Sequence, residues 1–129
     1  MDPKDTVELA ARVAQAAAAA LEARGYVSAI DLMKGLGWLT QARVDEWRQR
    51  RIPFLEAGIP THPARVSSAM SLFAEWVAKA NLKPSETGYV AGRQPLRFTQ
   101  SGAPELERAY RTHWLSPELL VKKPPPIVE

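Results

Sequence analysis

Between Gly25 and Ile59 the chain packs two helix starts and two helix stops into little space, and such punctuation allows only short helices joined at a corner. Ser28 is a good N-cap, and Asp31, three residues on, completes a capping-box-like pair. Gly35 or Gly37 can end this first helix in a left-handed turn. Thr40 then caps a second helix, Gln41 to about Arg51, which carries Val44 and Trp47 on one side. Pro53 closes it, because proline lacks a backbone donor and disfavours helix at Ile52.

The flanking segments supply what this unit packs against. Asp5 and Glu8 read as the start of a long helix ending near Gly25, with Val7, Ala10, Ala11, Ala14 and Leu21 on the expected buried face. Glu8, Arg12, Gln15 and Glu22 mark its wet face, and the alanines between them allow close approach by another helix. Pro53–Gly58 reads as a helical turn. Thr61 or His62 can cap an amphipathic helix over Pro63–Ala80, whose stripe is Val66, Met70, Phe73, Val77 and Ala80, widened by Ala69, Leu72 and Trp76. Pro84 stops it. Thr87–Ala91 and Pro95–Thr99 around Gly92-Arg93-Gln94 predict a small hairpin, with Leu96 and Phe98 on one face and Arg97 on the other. Pro104 begins a further helix with Leu106, Ala109, Tyr110 and His113 at i, i+3, i+4 and i+7, and Ser116-Pro117-Glu118 begins one more turn. The predicted fold is mainly α: a three-helix unit with a capped pair at its centre, an amphipathic helix, a small β-hairpin and C-terminal helices. Residues 1–121 form a single globular domain, and 122–129, with Lys122-Lys123 before three prolines, form a flexible tail.

Composition narrows the partners. Seventeen Lys and Arg against fourteen Asp and Glu leave a net charge of +3, which permits a polyanion without demanding one. Without cysteine there are no disulfides or thiolate metal sites, and the expected location is the cytoplasm. The Ala16–Ala20 run follows Asp2, Asp5 and Glu8 and so lacks the positive approach of a secretory signal. No apolar stretch reaches the roughly 18 to 20 residues that span a bilayer, so no membrane partner is expected.

Gln41–Arg51 is the best candidate site. Arg and Gln side chains form paired hydrogen bonds with guanine and adenine edges, so Gln41, Arg43 and Arg48 are the base-reading candidates in a DNA major groove. Arg50 and Arg51, near the helix end, suit phosphates. Against this stands a solvated helical face on which Glu46 pairs with Arg50 at i,i+4.

Ser28–Arg51, through its capped short helices, glycine-containing turn and the order Val44, Trp47, Arg48, resembles helix-turn-helix DNA-binding domains. The resemblance implies that Gln41–Arg51 reads DNA with Trp47 beneath it. The corner Leu36-Gly37-Trp38-Leu39 is longer and more apolar than the usual turn. A winged helix would place its hairpin soon after the second helix. Here Pro63–Ala80 intervenes, and Arg93 and Arg97 are the wing candidates. Most of the chain also resembles a family of uncharacterised small bacterial proteins, through Gly25-Tyr26-Val27, Gly37-Trp38-Leu39, Trp47-Arg48, Phe54-Leu55-Glu56 and Tyr110-Arg111-Thr112-His113-Trp114. That resemblance implies no activity.

Two other classes compete with DNA binding. An RNA-binding surface would stack bases on tryptophans, Tyr89 and Phe98 beside Arg93 and Arg97, although Trp38, Trp47 and Trp76 lie among apolar neighbours and suit a core better. A protein-interaction module would use the 63–80 helix, which is also the expected homodimer seam. An enzyme is not expected. His62 and His113 have no carboxylate or histidine at helical metal-site spacing, Gly35-Leu36-Gly37 follows a helix where a phosphate loop follows a strand, and no nucleophile motif occurs. No cofactor or metal is implied.

Overall fold

A computed structural model describes residues 3–91 and 93–116. The chain is mainly helical with small antiparallel strand pairs. In order it runs α1 (Pro3–Arg24), β1 (Tyr26–Ser28), α2 (Ala29–Gly35), α3 (Gln41–Arg48), a 3-10 turn (Leu55–Gly58), α4 (Pro63–Lys79), β2 (Lys83–Glu86), β3 (Val90–Ala91), β4 (Gln94–Pro95), α5 (Pro104–Arg111) and β5 (Thr112–Leu115). Most of the turn expected from Ser116-Pro117-Glu118, and the 122–129 tail, lie outside the described residues.

The helix ends are coded locally. Ser28 Oγ accepts from the Asp31 amide at 3.2 Å while the Asp31 carboxylate accepts from the Ser28 amide at 3.0 Å, a complete capping box. Gly37 closes α2 with φ +78°, its N–H donating to Lys34 O and the next N–H, of Trp38, to Met33 O. This pair of bonds is a Schellman end, which needs a left-handed residue and so favours glycine. Thr40 caps α3 through the Arg43 amide, and His62, rather than Thr61, caps α4 through the Ala64 amide.

α1 packs on α2 and α4. At Gly35 the approach is so close that an added Cβ would lie 2.7 Å from the Ala16 Cβ. The buried face of α1 is Leu9, Val13 and Ala17, not the face that includes Val7, which is 70% exposed. Alanines on every side leave several apolar stripes in this helix, and the larger Leu9 and Val13, four apart, decide which one the core takes. Trp47 is 1% exposed and packs against Tyr89 and Phe98, and its indole N–H donates to Arg97 O at 2.7 Å. Leu96 and Phe98 are buried and Arg97 is exposed, as the alternation requires.

Three further expectations about where elements end are corrected, and the role of Pro84 with them. First, α3 stops at Arg48 rather than Arg51, before Pro53 can act. Arg50 takes the left-handed position of a second Schellman end, at φ +60°. Second, α5 stops at Arg111, so His113 is on a strand. Thr112–Leu115 lies between β1 and β2 in a sheet of order β1-β5-β2, pairing Ser28, His113 and Ser85 in register. The helical spacing of His113 was coincidental; β-branched and aromatic residues with strands available on both sides prefer the sheet. Third, the hairpin ladder is shorter than expected, Val90–Ala91 against Gln94–Pro95: the Leu96 N–H still donates across it to Tyr89 O, but Arg97 O and Phe98 O accept from Leu55 N and Glu56 N of the 3-10 turn. Pro84 ends no helix directly. It sits in edge strand β2, where a missing donor is tolerated.

Candidate nucleic-acid interface

The caps fix where α3 stands, and its periodicity fixes which side faces water. Val44 and Trp47 are buried, while Gln41, Ala42, Arg43 and Asp45 are exposed. Polar contacts run along the outer side: Lys34 Nζ donates to Gln41 Oε1 at 2.6 Å, and Gln41 Nε2 donates to Asp45 Oδ1 at 2.9 Å.

The five candidate residues separate into distinct environments. Gln41 lies at the start of α3 and is engaged as described. Arg43 pairs with Glu46 at 3.1 Å, and its stem packs against Gly58 of the 3-10 turn. That pairing replaces the expected Glu46–Arg50 bridge, which is lost because Arg50 has left the helix. Arg48 is half-buried, and one of its terminal guanidinium nitrogens is fully buried without a partner among the described residues. Arg50 reaches across to the hairpin, where Nη2 donates to Gln94 O at 2.9 Å and Ala91 O at 3.4 Å. Arg51 is exposed, and its side chain has no partner among the described residues.

Among the described residues, the cations with hydrogen-bonding or ionic partners fall into two sets. Arg24, Arg43, Arg108 and Arg111 meet carboxylates, of Asp31, Glu46 and, for the last two, Glu86. Arg12, Lys34, Arg50 and Arg97 are held by neutral acceptors. Arg12 Nη2 donates to Leu36 O at 2.7 Å, and Arg97 donates to Thr99 O and Gln100 O beneath the Phe54 ring. A neutral acceptor fixes a side chain without cancelling its charge, so these groups stay attractive to an anion. Arg50 also fastens the hairpin turn, with exposed Arg93, to the chain leaving α3, with Arg51. Arg97 is not part of this fastening, since its bonds are to Thr99 O and Gln100 O of its own loop. Arg12 and Lys34 were missed from sequence. Lys34 is seven residues from Gln41, but Arg12 is brought to the corner across 24 residues by the packing of α1.

A second polar group is closed off. His113, 1% exposed at the centre of the sheet, has Nε2 2.6 Å from the Tyr89 hydroxyl and stacks at 5.1 Å on Tyr26, which Arg24 covers. Ser28 Oγ donates to Asp31, which also pairs with Arg24. Burial lowers the His113 pKa, and burial pushes that of Tyr89 up to about 12, so both are neutral near pH 7. Although Ser28, Asp31 and His113 are residue types that form hydrolytic triads, the serine hydroxyl bonds to the aspartate and the histidine to tyrosine. Among the described residues, no group of three or more His, Asp or Glu side chains could hold a metal ion, and no helix is long and apolar enough to cross a membrane. No protein-family model, curated protein or solved structure matches this chain.

Proposed function

We propose that this chain is a non-enzymatic DNA-binding protein of helix-turn-helix type, in which α3 enters the major groove and the hairpin acts as a short wing. The observation that carries the reading is the pair of hydrogen bonds that Arg50 donates to the Gln94 and Ala91 carbonyls, which ties the turn carrying Arg93 to the end of α3. Arg50, Arg51 and Arg93 hold phosphate, supplying affinity without sequence information. Gln41 and Arg43 reach base edges, and Asp45 is suited to accept from a cytosine amino group. Arg48 has no base in this arrangement, because its guanidinium is turned inward.

The experiment is a fluorescence-anisotropy titration of random duplex DNA and of single-stranded RNA at low and physiological salt. Salt-sensitive duplex binding that weakens in Arg51→Ala/Arg93→Ala supports the reading. Duplex binding unaffected by that double change, or tighter RNA binding, counts against it.

A second reading, a protein-interaction or homodimer module, is favoured by one observation. Leu106, 47% exposed, borders a groove of about 400 Å³ between α4 and α5, with Val66, Met70, Ala74 and Tyr110. An exposed apolar side chain beside an apolar groove is the kind of surface that association covers. Sedimentation that changes with concentration, and is abolished by Leu106→Ser, distinguishes it.

A further inference from the structure

A groove of about 610 Å³ runs between α1 and α2. Its lining carries Arg12, Arg24 and Lys34 against one carboxylate, Asp31, and one amide, Gln15, among alanines that include Ala16 and Ala20. The Arg24 charge is met by Asp31. The charges of Arg12 and Lys34 are not met, because their acceptors are the Leu36 carbonyl and the Gln41 amide oxygen. Both therefore present an oriented cation with unused donors at the corner before α3. The small alanines between these side chains let a chain of phosphates come close.

This cationic end lies at the start of α3, and Arg50, Arg51 and Arg93 lie at its finish. The helix is eight residues long, about 12 Å at 1.5 Å per residue. A B-form major groove is also about 12 Å wide. We infer that the α1–α2 groove is a second phosphate site, holding the backbone strand opposite the one held by the hairpin, so that the ligand is duplex rather than single-stranded. The inference rests on the DNA-binding reading above. An acidic peptide could meet the same cations, but cations at both ends of a helix about as long as the groove is wide favour two strands of one duplex.

The test measures binding of a random 30-base-pair duplex, of one of its single strands and of a polyglutamate peptide, across a salt series. Each phosphate contact contributes roughly 0.9 to the slope of log affinity against log salt. Arg12→Gln/Lys34→Gln is expected to flatten the duplex slope by about 1.8 and to reduce the preference for duplex over single strand. Lys34→Gln alone is expected to flatten it by about 0.9, and its exposed position keeps the result readable if the double variant is poorly folded. Duplex binding by the unaltered chain with an unchanged slope in Lys34→Gln overturns the second site and leaves the α3 reading standing. No duplex binding by the unaltered chain overturns both. Polyglutamate binding that depends on Arg12 and Lys34, with duplex binding that does not, overturns the inference in favour of an acidic protein partner.

Discussion

The interior around His113 and the rim around α3 are both rich in polar side chains, but they use them in opposite ways. Inside, the polar groups are mostly answered within one network, Arg24 by Asp31, Ser28 by Asp31 and Tyr89 by His113 Nε2, while His113 Nδ1 is left without a partner among the described residues. That network joins α1, β1, α2 and β5, and is consumed by holding them together. On the rim, Arg12, Lys34 and Arg50 are oriented but electrostatically unanswered. The number of polar groups therefore says little about where a ligand binds. What matters is whether the charge has been cancelled, since a paired exposed cation offers little net field and an unpaired one offers all of it.

Changes inside should cost stability, and changes on the rim should not. The largest effect is expected from Trp47→Ala, about 3 to 5 kcal/mol, because it empties a buried site and deletes the bond to Arg97 O; an unchanged chemical-denaturation midpoint would remove Trp47 from the core. Asp31→Ala is expected to cost about 1 to 3 kcal/mol, since it removes the capping box and leaves Arg24 unpaired. The same denaturation series checks this, and a loss below about 0.5 kcal/mol would mean that the network contributes no more than an ordinary surface site.

His113 gives the interior a pH signature. Its folded pKa is lowered by burial, so the unfolded chain takes up the proton first. Its contribution to stability is complete above the unfolded value of about 6.5 and is lost as pH falls toward the lower folded value. Melting midpoints measured from pH 7.5 to 5 should fall, and should fall less in His113→Gln. A parallel decline in both proteins would assign the acid sensitivity to other groups. The smallest stability effect is expected from Arg50→Gly. Glycine relieves a left-handed residue by up to roughly 1 kcal/mol, which offsets the lost bonds to Gln94 and Ala91. Its melting midpoint should barely move while amide exchange in the 90–95 hairpin accelerates. Unchanged exchange would show that Arg50 does not anchor the hairpin.

The α2–α3 pair was legible because its signals are local. Ser28 with Asp31, Gly37 and Thr40 each act within a few residues, and all four do what their chemistry predicts. The stop at Arg48 was hidden because Arg50 adopts a glycine-like backbone in order to bond residues more than 40 positions away. The sheet was hidden for the same reason. Thr112–Leu115 is a strand only because β1, some 87 residues earlier, and β2 lie on either side of it. Of the candidate site, the residue types of α3 could be read directly. Which of its charges are cancelled could not, because Arg12 and Arg50 find their acceptors through the packing of α1 and the hairpin.

The most direct test is the salt dependence of duplex DNA binding by the unaltered protein. The five unanswered cations assigned to the two ends of α3, Arg12, Lys34, Arg50, Arg51 and Arg93, predict a slope of log affinity against log salt of about −4.5. A slope near that value, flattened by changes at either end of α3, is the expected result. Binding that ignores salt, or no duplex binding at low salt, would contradict the account and turn attention to the Leu106 groove.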